Sequence, residues 1–402
     1  MNSSKYIPRN IYFNRIEPFI NTGLIKVLTG QRRVGKSYIL LQVMDEIGKR
    51  DPTAQIIYIN KEDYSFEHIK THDDLMGYLD KIKKSGGKIY LFIDEIQDIS
   101  NFEIALRSLL AVDNWDIYCT GSNATLLSGE LATYLSGRYV EIRIYSLSYP
   151  EYLQFHHLKN SQESFLRFIK YGGMPHIINL PQEDRIIYEY LRNIQNTIVL
   201  RDVVARFRVR NISFLHDLIY YLADTVGSIL SAKRISDYLK SQKINLSPKI
   251  VIEYLSYLEY VYFVERVKRA EVIGRKIFEI GDKFYFEDLG MRHALIPYRQ
   301  KDISKVLENI VFHHLKVCDY HVTVGKLGDR EIDFIAEKDG ETTYIQVAYL
   351  IPDSNTHKRE FGNLLSIPDN FRKIVLSMDA MESGKFKGIE HISIRDFLSN
   401  IT

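Results

Sequence analysis

Only two cysteines occur in 402 residues, Cys119 and Cys318, about two hundred positions apart and outside any CxxC or Cys/His cluster. That excludes a disulfide framework, gives no structural zinc motif and fits a reducing cytoplasm. No window reaches the ~18 uninterrupted apolar residues a membrane span needs. The first ten residues, MNSSKYIPRN, show no basic-then-apolar signal pattern, so neither secretion nor a membrane partner is expected. An excess of either charge is missing too: 53 Lys and Arg face 51 Asp and Glu, a net +2. Nothing global then draws the chain to nucleic acid or anionic lipid, and any polyanion site has to be a local patch. There is one tryptophan, no internal repeat and no low-complexity tract. The 28 tyrosines are spread along the whole chain, as core-filling aromatics are.

What the chain does have is length, two to three times that of an ordinary domain, so several cores are expected. Its 45% hydrophobic and 26% charged residues are those of a globular protein. Residues 1–150 alternate β-rich runs (LIKVLTG, QIIYIN, KIYLFIDEI, DIYCTGS, YVEIRIYSL) with helical patterns. This is the signature of a mainly parallel sheet covered by helices, an α/β fold. Residues 151–211 turn helical, with Ile187, Leu191, Ile194 and Ile198 on one face, and read as a helical lid or connector. Residues 212–300 show three helical stretches and then strands (VYFVERV, KIFEI, KFYFED), a winged-helix pattern with Ser247-Pro248 opening the third helix. Residues 301–402 return to α/β, with strands HVTV, EIDFIAE, TYIQVAYL and RKIVLSM.

Between the run LIKVLT and the helical run YILLQVMDEI stands GQRRVGKS, Gly30 to Ser37, a full GxxxxGK[ST] loop in strand-loop-helix context. Glycines let successive backbone N–H groups curl around phosphate oxygens, and the helix N-terminus adds partial positive charge. Lys36 is expected at the β- and γ-phosphates and Ser37 on Mg2+, while Gln31, Arg32, Arg33 and Val34 supply mostly backbone. Gly30, Gly35 and Tyr38 complete the expected nucleotide-binding stretch. In KIYLFIDEIQDI an apolar strand ends in Asp94 and Glu95. Asp94 is the expected organiser of Mg2+ and Glu95 the residue that orients the attacking water. Acidic residues also end strands for no catalytic reason, but the distance from the P-loop favours the functional reading. Ser122 and Asn123, after the strand DIYCTGS, are candidate γ-phosphate sensors or merely a turn. Arg138, in LSGRYVEIRI, is the candidate charge-stabilising arginine, against a plain solvated or carboxylate-paired one.

In this order, GQRRVGKS, LFIDEIQDI, TGSNATLLS and LSGR resemble the AAA+ ATP-binding proteins of bacteria and archaea that carry a C-terminal domain of unknown function. The likeness runs on through YGGMP (Tyr171 to Pro175) and FEDLG (Phe286 to Gly290). It implies ATP and Mg2+ as cofactors, ATP hydrolysis, a 51432 strand order and room for a homo-oligomer. It leaves the macromolecular partner, DNA or protein, unnamed. From Lys233 to Lys276 ten Lys or Arg stand against five Asp or Glu, a patch suited either to phosphates or to a protein surface.

The last segment resembles a restriction-endonuclease-like core. Glu308, Asp333 and Gln346 occupy the places of its metal-binding acids, and Ala348 stands where its lysine belongs. Without that cation a binding role is expected rather than cleavage. Lys326 and Lys358 are the candidates for a migrated lysine. The features together lead to the expectation of an ATPase whose nucleotide state rearranges its domains on a partner. The alternative is a nucleotide-gated scaffold with no significant turnover, and an ATP-coupled nuclease stands third.

Overall fold

The computed structural model describes residues 6–84, 86–112, 114–122, 135, 137–241, 246–278, 281–351, 354–379 and 384–400, with the backbone alone for 354–358. The chain divides into two compact units, Met1–Tyr145 with Tyr260–Tyr262, and Ser146–Glu259 with Phe263–Thr402.

In the first unit five strands, β1 (Ile25–Thr29), β2 (Gln55–Asn60), β3 (Ile89–Asp94), β4 (Trp115–Gly121) and β5 (Tyr139–Arg143), form one parallel sheet in the order β2-β3-β4-β1-β5. β1, β3 and β4 are buried along their whole length, which is why they read as unbroken apolar runs rather than alternating ones. Helices α1 (Asn10–Ile16), α2 (Lys36–Arg50), α3 (His72–Ile82) and α4 (Phe102–Leu110) accompany the sheet. α3 starts at a capping box in which Thr71 and Asp74 satisfy each other's backbone N–H groups. Leu75, Leu79, Leu106 and Leu109 of α3 and α4 pack with Ile57, Leu91 and Ile117 of the strands in one core.

The register decides where function can sit. Thr29 pairs beside Gly121, Ile93 beside Cys119 and Asn60 beside Asp94. The C-terminal ends of β1, β3 and β4 therefore lie along one edge, the edge at which open α/β sheets bind ligands. Near the opposite end Lys26 and Asp116, both fully buried, form an ion pair, with the Lys26 ammonium 4.1 Å from the Tyr118 ring centroid. Burial pushes the Lys26 pKa down even though Asp116 opposes that shift. The pair fixes the register of β1 on β4 at a desolvation cost.

The second unit begins with α5 (Tyr149–Phe155), α6 (Gln162–Tyr171) and α7 (Asp184–Thr197), which continues into a π-helical turn, Ile198–Ala205. The four isoleucine and leucine positions predicted to share a face, Ile187, Leu191, Ile194 and Ile198, are all buried. α8 (Ile212–Asp224), α9 (Ala232–Ser241) and α10 (Pro248–Tyr260) follow. After them β6 (Val264–Val267) pairs antiparallel with β8 (Lys283–Phe286).

Between these two strands lies β7 (Arg269–Glu271), which pairs parallel with β9 (His321–Leu327) and so joins a different sheet. The remaining members of that sheet are β10 (Arg330–Lys338), β11 (Glu341–Val347), β12 (Arg372–Ser377), β13 (Gly384–Phe386) and β14 (Ile389–Ser393). The seven-stranded order is β13-β14-β12-β11-β10-β9-β7. Four helices complete the unit: α11 (Leu289–Leu295), α12 (Ile303–Val317), α13 (Ser354–Leu365) and α14 (Ile394–Ser399).

Of the strand expected over KIFEI, the described residues 276–278 run antiparallel to β7: Ile277 bridges Ala270, the Glu271 N–H donates to the Lys276 carbonyl and the Phe278 N–H to the Arg269 carbonyl. Glu279 and Ile280 lie outside the described residues.

The YGGMP and FEDLG motifs meet. Asp288 accepts the Gly173 N–H at 2.6 Å and the Met291 N–H at 3.1 Å, the latter capping α11. A Cβ on Gly173 would stand 2.3 Å from the Leu147 carbonyl oxygen, so only glycine fits there. Burial pushes the Asp288 carboxyl up to about 6 against these hydrogen bonds.

Candidate functional site

The P-loop follows β1 at the ligand-binding edge. Gly30 has φ +142°, and a Cβ there would lie 2.1 Å from the Ile144 carbonyl oxygen, so both its conformation and its neighbour require glycine. Gly35, at φ 99°, is the N-cap of α2. Arg33 has a positive φ of 71°, and curling the loop this way turns its N–H groups inward, the arrangement that cradles anions. Lys36 is 5% exposed, and its ammonium donates to the Gly30 and Gln31 carbonyls at 3.0 Å each.

The strand ends supply the rest. Asp94 accepts hydrogen bonds from Ser37 and Thr120, with Tyr58 donating at 3.3 Å to its other oxygen. Burial nevertheless holds its pKa above the usual value. Glu95, with φ 58°, donates its backbone N–H to the Thr120 hydroxyl at 2.9 Å and accepts from Gln97 and Ser122. Burial alone would raise the Glu95 carboxyl. Lys36, Gln97, Arg32 and Ser122 outweigh it, and the group lies below the ordinary carboxylate range. Glu95 is thus a buried carboxylate that stays ionised at neutral pH, set beside the ammonium that would face phosphate. Lys36, Ser37, Asp94, Glu95 and Ser122 converge in one cluster, with Arg32 at its rim, 3.6 Å from Glu62.

Two other predicted positions of this stretch turn their side chains outward: Tyr38 is 57% exposed at the start of α2, and the side chain of Arg33 is exposed while its backbone forms part of the loop. Asn123 lies outside the described residues. Arg138 is exposed where β5 begins, its carbonyl accepting from Ile25 at the start of β1. That is the far edge of the sheet, a strand of ~16 Å away from the P-loop, so Arg138 does not join the cluster.

Two participants, Arg9 and Arg143, escaped sequence reasoning, and Gln31, expected to supply mostly backbone, uses its side chain as well. Arg9, before α1, donates to the Val34 carbonyl at 2.9 Å and to the Tyr145 carbonyl at 3.0 Å, clamping the loop from outside. Arg143, ending β5, places its guanidinium 4.6 and 4.7 Å from the Tyr145 and Tyr262 ring centroids. Gln31, fully buried, donates to the Tyr262 carbonyl at 3.0 Å, so the Tyr260–Tyr262 segment of the same unit is fastened to the loop. Each depends on a partner distant in the chain. Only the arginines' place beside the motif could have hinted at them.

A second polar cluster belongs to the other unit. A pocket of about 450 Å3 is lined by Lys305, Glu308, Asp333, Gln346, Arg359 and Glu360, among others. A register shift in β10 between Ile332 and Ile335 brackets Asp333, and such bulges re-aim side chains. The turn at Asp339 and Gly340, both with positive φ, folds β11 back on β10 and brings Gln346 to the same pocket. Ala348 lines the pocket, as does Lys305. Among the described residues a lysine that was not anticipated stands near Asp333. Lys326 lies over the Phe278 ring, and the side chain of Lys358 is outside the described residues. Instead Lys283 of β8 sits 3.0 Å from Glu308 and 3.8 Å from Asp333.

The family profile described as AAA domain matches residues 22–153, and the one described as Domain of unknown function (DUF8612) matches residues 162–302. An uncharacterized protein of Haemophilus influenzae is 37% identical over 98% of this chain and 99% of its own length. Another, of Methanocaldococcus jannaschii, is 30% identical over 83% of this chain and 76% of its own length. Among solved structures, replication initiator DnaA bound to AMPPCP and single-stranded DNA aligns with a TM-score of 0.33 and 17% identity, covering 62% of this chain and 86% of that one. Among the described residues, no helix is long and apolar enough to cross a membrane.

Proposed function

Because the chain belongs to the family of AAA-domain proteins that includes these Haemophilus and Methanocaldococcus relatives, we propose that it is a Mg2+-dependent ATPase whose nucleotide state rearranges its domains on a macromolecular partner. The observation that carries the reading is the convergence of Lys36, Ser37, Asp94 and Glu95 at one sheet edge. Gly30, at φ +142° and packed against the Ile144 carbonyl, lets the chain turn from β1 into a loop of the kind whose N–H groups bind phosphate. Ser37 and Asp94, already hydrogen-bonded to each other, offer the hydroxyl and carboxylate oxygens Mg2+ prefers. Bound there, Mg2+ would neutralise charge on the β- and γ-phosphates.

The protein's own groups do the rest. Lys36 leaves the Gly30 and Gln31 carbonyls and turns its ammonium to the phosphates. Glu95, ionised and held by Gln97 and Ser122, orients a water and accepts its proton. Arg138, at the far edge of the sheet, serves a neighbouring copy in an assembly rather than its own P-loop. Segment 151–211 acts as the lid, and the winged-helix and restriction-endonuclease-like parts, expected at 212–300 and 301–402, act together as one body that receives the motion, since β7 and Lys283 of the former belong to the sheet and pocket of the latter. DNA or a protein is the partner.

Phosphate release by wild type, Glu95→Gln and Lys36→Ala tests the reading. Glu95→Gln should bind ATP as wild type does and turn it over at least ~100-fold more slowly. Lys36→Ala should lose binding. Equal turnover in all three removes the proposal. A full binding isotherm with wild-type turnover no higher than Glu95→Gln leaves a nucleotide-gated scaffold in its place.

A further inference from the structure

The pocket around Asp333 is where a divalent ion is expected in a restriction-endonuclease-like core, and its two carboxylates, Glu308 and Asp333, already face protein partners. One Glu308 carboxylate oxygen accepts from Lys283 at 3.0 Å and from the Tyr285 hydroxyl at 3.2 Å; the other accepts from Lys305 at 2.7 Å. Asp333 accepts the Val347 N–H at 2.9 Å on one oxygen, and the Lys283 ammonium stands 3.8 Å from the other. Lys283 also meets Glu331 at 2.8 Å. Its side chain is 1% exposed, so this is no loose surface pair that an incoming ion could brush aside. Mg2+ demands about six oxygens near 2.1 Å in octahedral array. Among the described residues no three His, Cys, Asp or Glu side chains are placed to hold a metal.

The charges agree with the geometry. Lys283 is held well above the usual lysine range by Tyr285, Glu308, Asp333 and Glu331, in spite of burial. Asp333 is pushed up to about 7 by burial and by Glu308, with Lys283 opposing. The groups facing this cluster from every packed element are Lys283 and Tyr285 of β8, Lys305 and Glu308 of α12, Glu331 of β10, and Arg359 and Glu360 of α13, which pair with each other at 2.7 Å. Two ammonium groups already balance most of the carboxylate charge that a divalent ion would otherwise meet. The one group left wanting is Gln346, 8% exposed, whose Oε1 has no hydrogen-bond partner.

The geometry points to Lys283 as the resident cation of this pocket: its ammonium takes the place of a divalent ion among Glu308, Glu331 and Asp333, and the pocket holds no metal in the working protein. The same ammonium ties β8 to α12 and β10. Any ligand that enters meets the Gln346 amide and the Asp333 carboxyl rather than a metal-bound water, and phosphodiester cleavage by metal-activated hydroxide does not occur there.

Mn2+ alone is the probe, titrated into the nucleotide-free full-length protein and followed by electron paramagnetic resonance. Wild type and Asp333→Asn should bind it identically, since whatever the P-loop takes up is common to both. Lys283→Gln should gain a site at least tenfold tighter than any in wild type, abolished again by adding Asp333→Asn. Tight Mn2+ binding by wild type that Asp333→Asn removes overturns the proposal. So does a folded Lys283→Gln with no new site. Should Lys283→Gln fail to fold, the comparison of wild type with Asp333→Asn decides alone.

Discussion

Thr120 and Asp94 are joined across neighbouring strands: the Thr120 hydroxyl donates to one Asp94 oxygen and accepts the backbone N–H of Glu95. One side chain of β4 therefore sets the position of two residues at the end of β3. Removing that hydroxyl leaves the P-loop intact and lets both carboxylates drift. Thr120→Val should lower kcat by ~10- to 100-fold, the scale of a misplaced catalytic group, while ATP affinity stays within about threefold. Steady-state turnover beside an ATP titration measures both. An unchanged kcat means that Thr120 holds nothing the reaction uses.

Asp288 gives stability a pH signature. Its carboxyl ordinarily titrates near 3.8 and in the folded protein near 6. Between those values the native state keeps a proton that the unfolded chain has released, so stability falls as pH rises through that window and levels off above it. Asp288→Asn cannot ionise. The unfolding free energy of the variant relative to wild type should rise by up to about 3 kcal/mol from pH 4 to pH 7, the equivalent of about two pKa units. Urea melts at several pH values follow it, and a difference that stays flat with pH rules the assignment out.

The excess of basic residues between Lys233 and Lys276 poses a separate question. If the exposed Lys249 at the start of α10 meets a nucleic-acid backbone, binding to a duplex should weaken steeply with salt, since each neutralised phosphate releases counterion. Lys249→Glu should then reduce both the affinity and the salt slope, by about one unit of slope for one contact. Fluorescence anisotropy from about 50 to 200 mM salt reads both. Binding that is absent or indifferent to salt assigns this face to a protein partner. Lys243, a companion position for the same test, lies outside the described residues.

Contiguous chemistry was legible and long-range chemistry was not. The P-loop spacing, the acidic end of KIYLFIDEI and the parallel-sheet pattern are written in neighbouring residues, because a strand buried on both faces has to be apolar throughout. Arg9 and Thr120 carry no local mark, since their partners Val34 and Asp94 are brought to them by the fold alone, and the motif that marks Gln31 says nothing of its bond to Tyr262. Lys283 was missed for the same reason. Lys326 and Lys358 lie near Gln346 in sequence, whereas β8 delivers Lys283 from an earlier segment. Arg138 looked favourable because it abuts a core strand, but it opens that strand, and in a parallel sheet the residue that opens a strand lies at the end away from the ligand-binding edge.

The pairing of β7 with β9 bears on how the chain can be divided. A fragment made by cutting at residue 300 would carry six of the seven strands, with the backbone N–H and C=O groups of β9 laid bare along a sheet border. Such a border recruits strands from other molecules. The same cut would strip the ammonium of Lys283 from Glu308 and Asp333 and leave buried carboxylates without their counter-charge. The last hundred residues are thus a piece of a larger cooperative body, and a soluble, faithful excision of this sheet has to begin upstream of Arg269.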